Sequence, residues 1–428
     1  MDGRGRPKRI FTGWKIVWGG AAIQAVHSGL VFNAFSLIAA QIHAEYGWSK
    51  STLGGAFAMN RAESGLLGPL QGWMTDRWGP RAVLRLGAVI MAAGLVGFAT
   101  LDSIAEFYGF YLIVALGSSL AGYLPVTVAI VNWFQRKRSR ALAWSQMGFA
   151  VGGTLAFLYG VLLDHVGWRQ ASIWSAGITL AVILPAAQCY HREPSAVGEF
   201  VDGIDPRGPD AEAAAAIPSS QTAVDFTPAE AMRTRAFWFI SLGHASALLV
   251  VGASMAHLAL FLDEERGMSS LHVSLVVGAL PAMMGVGQIL GGVLGDGLID
   301  KRVLVALAML GHGLGLFVLA IAANPIMVWA FVLFHGLGWG VRGPIQSSMR
   351  ADYFGPSDLG KIMGFSSLVV MLGMVIGPIL AGVLADRTGS YQTGFLILAL
   401  FAGLGSLWFY FATPPAPPAR DAPAGAGG

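Results

Sequence analysis

Gly72-Trp73-Met74-Thr75-Asp76-Arg77-Trp78-Gly79-Pro80-Arg81 lies between two long apolar runs. A short charged turn with membrane-length apolar chain on both sides reads as the joint of a helix hairpin whose arms cross a bilayer. Gly72 permits close approach of a second helix, Asp76 and Arg77 mark the membrane surface, and Gly79-Pro80 turns the chain into the next helix.

Composition supports that reading independently. Hydrophobic residues are 55 % of the 428 and charged residues 12 %, with a mean hydropathy of +0.61. A water-soluble domain carries about 25 % charged residues, so this chain reads as an integral membrane protein. The single cysteine, Cys189, excludes an internal disulfide and a cysteine-based metal cluster. There is no phosphate-cradling glycine loop, and His and Asp occur without metal-ligand spacing. No enzyme chemistry, no ATP-driven step and no cofactor are therefore expected of this chain.

Twelve apolar segments fall at about 14–42, 51–75, 81–101, 106–133, 140–163, 168–188, 236–261, 269–295, 302–323, 326–349, 360–385 and 392–412. The expected class is an all-α membrane protein of twelve helices. Its expected parts are a tail over 1–13, a six-helix bundle over 14–189, a polar linker over 190–235, a second bundle over 236–412 and a disordered tail over 413–428. Lys and Arg set the orientation. With the N-terminus in the cytoplasm, the outside loops receive only Lys50, Arg169, Arg266 and Arg387. The inside receives the N-terminal cluster, Arg77, Arg81, Arg85, Arg136-Lys137-Arg138, Arg140, Arg233, Arg235, Lys301, Arg302, Arg350 and Lys361. Both termini are expected in the cytoplasm, with the chain multi-pass in the cell (inner) membrane. The basic run at 136–140 reads as a topology determinant facing anionic lipid headgroups, not as a nucleic-acid site.

The two halves repeat. Gly72 and Asp76 recur as Gly292 and Asp296, Gly117 and Pro125 as Gly336 and Pro344, and Gly160, Asp164, Gly167 and Gln170 as Gly382, Asp386, Gly389 and Gln392. Six spans per half keep the orientation of the repeat parallel, the pattern of a rocking transporter with a site between its halves.

The signature loop, the repeat and the span count together resemble the major facilitator superfamily. Arg61-Ala62-Glu63-Ser64-Gly65-Leu66-Leu67-Gly68-Pro69, Gly338-Trp339-Gly340-Val341-Arg342-Gly343-Pro344 and Asp352-Tyr353-Phe354-Gly355 look like bacterial members of its monocarboxylate and oxalate–formate branch. That resemblance implies alternating access and a small organic anion, such as a monocarboxylate, as substrate. It also implies a coupling proton, sodium ion or counter-anion, and function as a monomer. In that family spans one, four, seven and ten line the cavity. This puts Arg342 opposite Tyr123, its counterpart in the repeat, and brings His27, Asn33 and His244 to the cavity wall. Arg342 is expected to grip the substrate carboxylate through its planar fork. Arg61 and Glu63, charged within span two, are read as a buried network or a coupling pair. Asp76, with Arg77 and Arg81, is expected to latch onto the start of span eleven near Ser357 and Asp358, where the helix dipole favours a carboxylate. The second loop lacks an arginine directly after Asp296. Two other readings stand beside transport of an anion. One is an exporter of hydrophobic or drug-like compounds; the other is a non-transporting receptor or scaffold, for which 190–232 is too short and polar an output domain.

Overall fold

A computed structural model describes residues 11–205, 207, 225–297 and 299–418. The described chain is helical, without strands. In order the helices are α1 (Thr12–His27), α2 (Ala34–Tyr46), α3 (Lys50–Leu66), α4 (Gly68–Trp78), α5 (Pro80–Phe98), α6 (Ile104–Leu120), α7 (Tyr123–Trp133) and α8 (Arg138–Ala187). The second half of the chain adds α9 (Pro228–Met232), α10 (Arg235–Leu260), α11 (Ser270–Gly295), α12 (Lys301–Ala320), α13 (Pro325–Phe354), α14 (Leu359–Thr388) and α15 (Tyr391–Phe411). Helix starts are set by side-chain caps. Ser103, Thr234 and Asn324 accept from the amides of Glu106, Phe237 and Met327, which otherwise lack partners in the first turn. Gly167, at φ 74°, breaks α8 into two membrane-length arms.

Ten stretches among the described residues are long and apolar enough to cross a bilayer. The two expected spans without such a match, 51–75 and 140–163, are nevertheless helical. The first is interrupted at Leu67 between α3 and α4 and diluted by Lys50, Asn60, Arg61 and Glu63; the second is the first arm of α8, opened by Arg138 and Arg140. Two other interruptions fall within spans. Residues Ser28–Phe32 form a π turn between α1 and α2, and Ala121-Gly122 separates α6 from α7.

The buried apolar side chains sort by position in the chain. One cluster draws only on residues between Phe226 and Ala412, and two draw only on residues between Ile16 and Tyr190. A small fourth cluster joins the two sets, with Leu124, Val128 and Val131 against Ala351, Leu359 and Met363. The main packing between the sets is α4 on α14 and α8 on α11. Both crossings depend on small residues. A methyl group at Gly72 would stand 2.1 Å from the Gly360 oxygen, and one at Gly292 would stand 2.6 Å from Cβ of Ala143.

Candidate functional site

A cavity of about 240 Å³ opens where the interrupted helices meet α10, α13 and α14. From the first half come His27, Ser64, Ser118, Ser119 and Tyr123; from the second come His244, Arg350 and Ser366. The breaks at Leu67 and Gly122 lie beside these residues. Interrupted spans expose backbone and side-chain polarity inside an otherwise apolar bundle, the kind of place where solutes and ions are bound in membrane proteins. A larger groove, of about 810 Å³, runs between α12 and α15, but its walls are Leu307, Leu314, Phe317, Leu400 and similar exposed apolar side chains. Its lining side chains are apolar, so it offers no group to hold a polar solute.

The strongest charge at the cavity is Arg350, only 4 % exposed. Its Nη2 donates to Ser366 Oγ at 3.1 Å and to His244 Nδ1 at 3.3 Å. A guanidinium has no acceptor, so His244 accepts at Nδ1 and carries its proton on Nε2. No carboxylate among the described residues lies within ion-pair distance of Arg350. Arg342 stands two turns earlier on α13, 2 % exposed and outside the cavity lining. Its Nη1 donates to Gln346 Oε1 at 2.9 Å, and among the described residues its Nε has no partner and it too lacks a carboxylate.

The other expected residues divide. Tyr123 lines the cavity, and its hydroxyl meets Ser347 across the two halves. His27 lines it as well, with Nδ1 3.0 Å from Ser118 Oγ. Asn33 does not line it; its amide donates to Ser28 O at 2.9 Å and Ser28 Oγ at 3.0 Å, closing the π turn of span one. Glu63 lies behind the wall, where Oε2 accepts from Ser119 Oγ at 2.8 Å and Ser64 Oγ at 3.2 Å. The side chain of Arg61 lies outside the described residues. Arg350 was grouped by sequence with the surface cations because the apolar run of span ten stops at Met349. The available signal was its position on the same helix as Arg342, two turns further on.

At the loop end of the molecule, Asp76 accepts from the amides of Gly360 at 3.1 Å and Lys361 at 2.9 Å, in the first turn of α14. Asp296 does the same on α8, accepting from Ser139 N at 2.7 Å and Arg140 N at 3.0 Å. The two halves thus exchange equivalent contacts, even though the second loop lacks its arginine. Both carboxylates lie beyond the ends of the apolar spans. Burial pushes Asp76 up to about 6, against the opposing pull of the two amides and Lys361. Asp296 is pushed up by burial in the same way. Arg77 is exposed, and Arg81 bonds Gln188 O and His191 within its own half; among the described residues neither makes a hydrogen bond or ion pair with α14. Arg138, buried on α8, instead pairs across the halves with Asp352.

A family model described as the Major Facilitator Superfamily matches residues 21–341 and 240–427. The chain belongs to the major facilitator superfamily. Within it, the chain is similar to human monocarboxylate transporter 11, with 26 % identity over 428 residues, covering 95 % of this chain and 84 % of that protein. It is also similar to the probable sulfoacetate transporter SauU of Cupriavidus necator, with 28 % identity over 410 residues and 89 % of each covered. Among solved structures it resembles the human organic anion transporter MFSD10 (TETRAN), with a TM-score of 0.71 at 17 % identity, covering 94 % of this chain and all of that one. The proton:xylose symporter XylE gives a TM-score of 0.72 at 16 % identity, covering 94 % and 96 %. At these identities the structures show the fold alone. This major facilitator protein is a multi-pass membrane transporter and not an enzyme.

Proposed function

We propose that this protein is a secondary active transporter of small organic acids, carried as anions by alternating access. In this reading two six-helix halves, 14–189 and 236–412, rock about the cavity, and the 190–235 linker and both termini face the cytoplasm. Asp76 and Asp296 then close the cytoplasmic mouth from opposite sides.

The observation that carries the reading is Arg350, a buried guanidinium on the cavity wall with no carboxylate beside it among the described residues. An uncompensated charge at that depth is costly, and in a transporter it marks the solute path. A carboxylate or sulfonate entering the cavity supplies the missing charge and accepts the remaining donors. The monocarboxylate and sulfoacetate names of two relatives are consistent with an anionic head group. Cavity size favours a small solute as well, since drug-sized ligands fill pockets of about 300–1,000 Å³. The same comparison weighs against export of bulky hydrophobic compounds.

The test is a thermal-shift panel of small carboxylates and sulfonates on purified protein, because a ligand that binds only the folded state raises apparent stability. At least one acid is expected to raise the Tm of the parent and to leave Arg350→Gln unchanged. An equal response of parent and variant to every acid removes Arg350 from the site.

A further inference from the structure

Glu63 and Arg350 are buried groups of opposite sign at the same cavity, Arg350 in its lining and Glu63 behind the lining serines Ser64 and Ser119. Neither has a partner of opposite charge among the described residues. Glu63 is 6 % exposed, and its Oε1 has no hydrogen-bond partner among the described residues. Among the described residues Glu63 bonds Ser64 and Ser119, and the polar groups lining the cavity in front of them are His27, Gln71, Ser118, Tyr123, His244, Arg350, Ser366 and Ser367. The side chain of Arg61, on the same helix, lies outside the described residues.

The two serines in front of Glu63 carry the chemistry. Ser119 spends its one hydroxyl hydrogen on Glu63 Oε2 at 2.8 Å. Ser64 spends its own on the same oxygen at 3.2 Å, or on Ser119 Oγ at 3.0 Å. A hydroxyl has a single hydrogen and two lone pairs, so what these serines leave for the cavity is acceptor capacity. Arg350 adds a donor to the same lining. The cavity is therefore bipolar. A simple anion offsets Arg350 but brings a second negative charge into a small enclosure that already holds Glu63. A solute with an acidic group at one end and a protonated amine at the other compensates both buried charges at once.

We infer that the substrate is a small zwitterion, an amino acid or amino sulfonate. Its acidic group sits at Arg350, His244 and Ser366, and its ammonium donates to Ser64 and Ser119 in front of Glu63. This inference rests on the reading of Arg350 as the partner of the acidic group.

Matched pairs of probes test it: alanine against propionate, and taurine against ethanesulfonate, titrated calorimetrically into the purified full chain. The amine-bearing member of at least one pair is expected to bind about tenfold or more tightly. Glu63→Gln keeps the side chain's size and removes its charge, and it is expected to erase that advantage while leaving the amine-free acid unaffected or improved. Ser119→Ala, which removes one acceptor and leaves Glu63 in place, serves as a second variant if Glu63→Gln does not fold, and is expected to shrink the advantage. Propionate and ethanesulfonate binding as tightly as their amine counterparts overturns the inference and leaves the organic-acid reading standing. Proton uptake on propionate binding, read from heats in buffers of different ionisation enthalpy, would then reassign Glu63 to protonation. An amine advantage that persists in both variants also overturns it. If none of the four probes binds, the inference and the organic-acid reading fail together.

Discussion

Arg342 and Arg350 are about 12 Å apart along one helix, and their surroundings separate their roles. Arg350 reaches the cavity with Ser366 and His244 at hand, whereas Arg342 is enclosed with Gln346 as its one hydrogen-bond partner among the described residues. Arg350→Lys keeps the charge but loses the planar fork, so acid affinity is expected to fall roughly ten- to a hundredfold, the equivalent of about 1.5–3 kcal/mol. Arg342→Gln removes an uncompensated buried charge. Its Tm is expected to rise while acid affinity falls less than in Arg350→Lys, a difference that thermal melts and calorimetry on both variants resolve. Composition exposed Arg342 to a sequence reading because it lies within an apolar run. Arg350 was hidden because its burial comes from partners on α10 and α14, more than a hundred residues away on one side and sixteen on the other, which no local pattern records. Asn33 erred in the other direction: span one was the right element, but the π turn directs its amide to Ser28.

At the scale of elements, the docking of Asp76 and Asp296 explains why the repeat survives where its letters diverge. What each loop delivers is a carboxylate to the unsatisfied amides of a helix start, and an arginine after it is not needed for that contact. Asp76→Ala leaves the Gly360 and Lys361 amides uncapped, at a cost of about 0.5–2 kcal/mol. Spin labels at Trp78 and Arg233, in a Cys189→Ser background, are expected to show a smaller short-distance population in this variant. An unchanged distribution would make Asp76 a mere turn residue. The pH dependence has a definite sign. The docked Asp76 titrates at about 6 and an undocked one near its ordinary 3.8, so docking takes up protons between those values. Acidification from pH 7 toward 4 is expected to increase the docked population, and Asp296, shifted the same way, adds to it. Gly72→Ala places a methyl group 2.1 Å from the Gly360 oxygen and is expected to oppose docking at every pH. The glycines and the carboxylate of this contact were legible in the sequence, as was its landing point near the start of span eleven. The cross-half pair of Arg138 with Asp352 was not, because a basic run beside a membrane helix looks the same whether it faces lipid headgroups or a buried carboxylate.

For the whole molecule, hydropathy and the repeat made the helical membrane architecture readable without any structure. They could not show that spans two and four break beside the cavity, since Leu66-Leu67 and Ala121-Gly122 are ordinary residues in apolar runs. The cavity chemistry depends on those breaks, and so the site was less legible than the fold. The proposed orientation has its own check. With Cys189→Ser as background, a cysteine at Asp205 is expected to react with an impermeant maleimide only from the cytoplasmic side, and one at Glu264 only from outside. Reversed accessibility at both would overturn the six-plus-six topology. Transport itself is tested most directly by counterflow in proteoliposomes preloaded with unlabelled alanine or propionate, with the same solute labelled outside. The account predicts transient accumulation of label for at least one solute with the parent protein and none with Arg350→Gln. Label that only leaks to equilibrium with the parent for both solutes, or that accumulates as fast with Arg350→Gln, would contradict it.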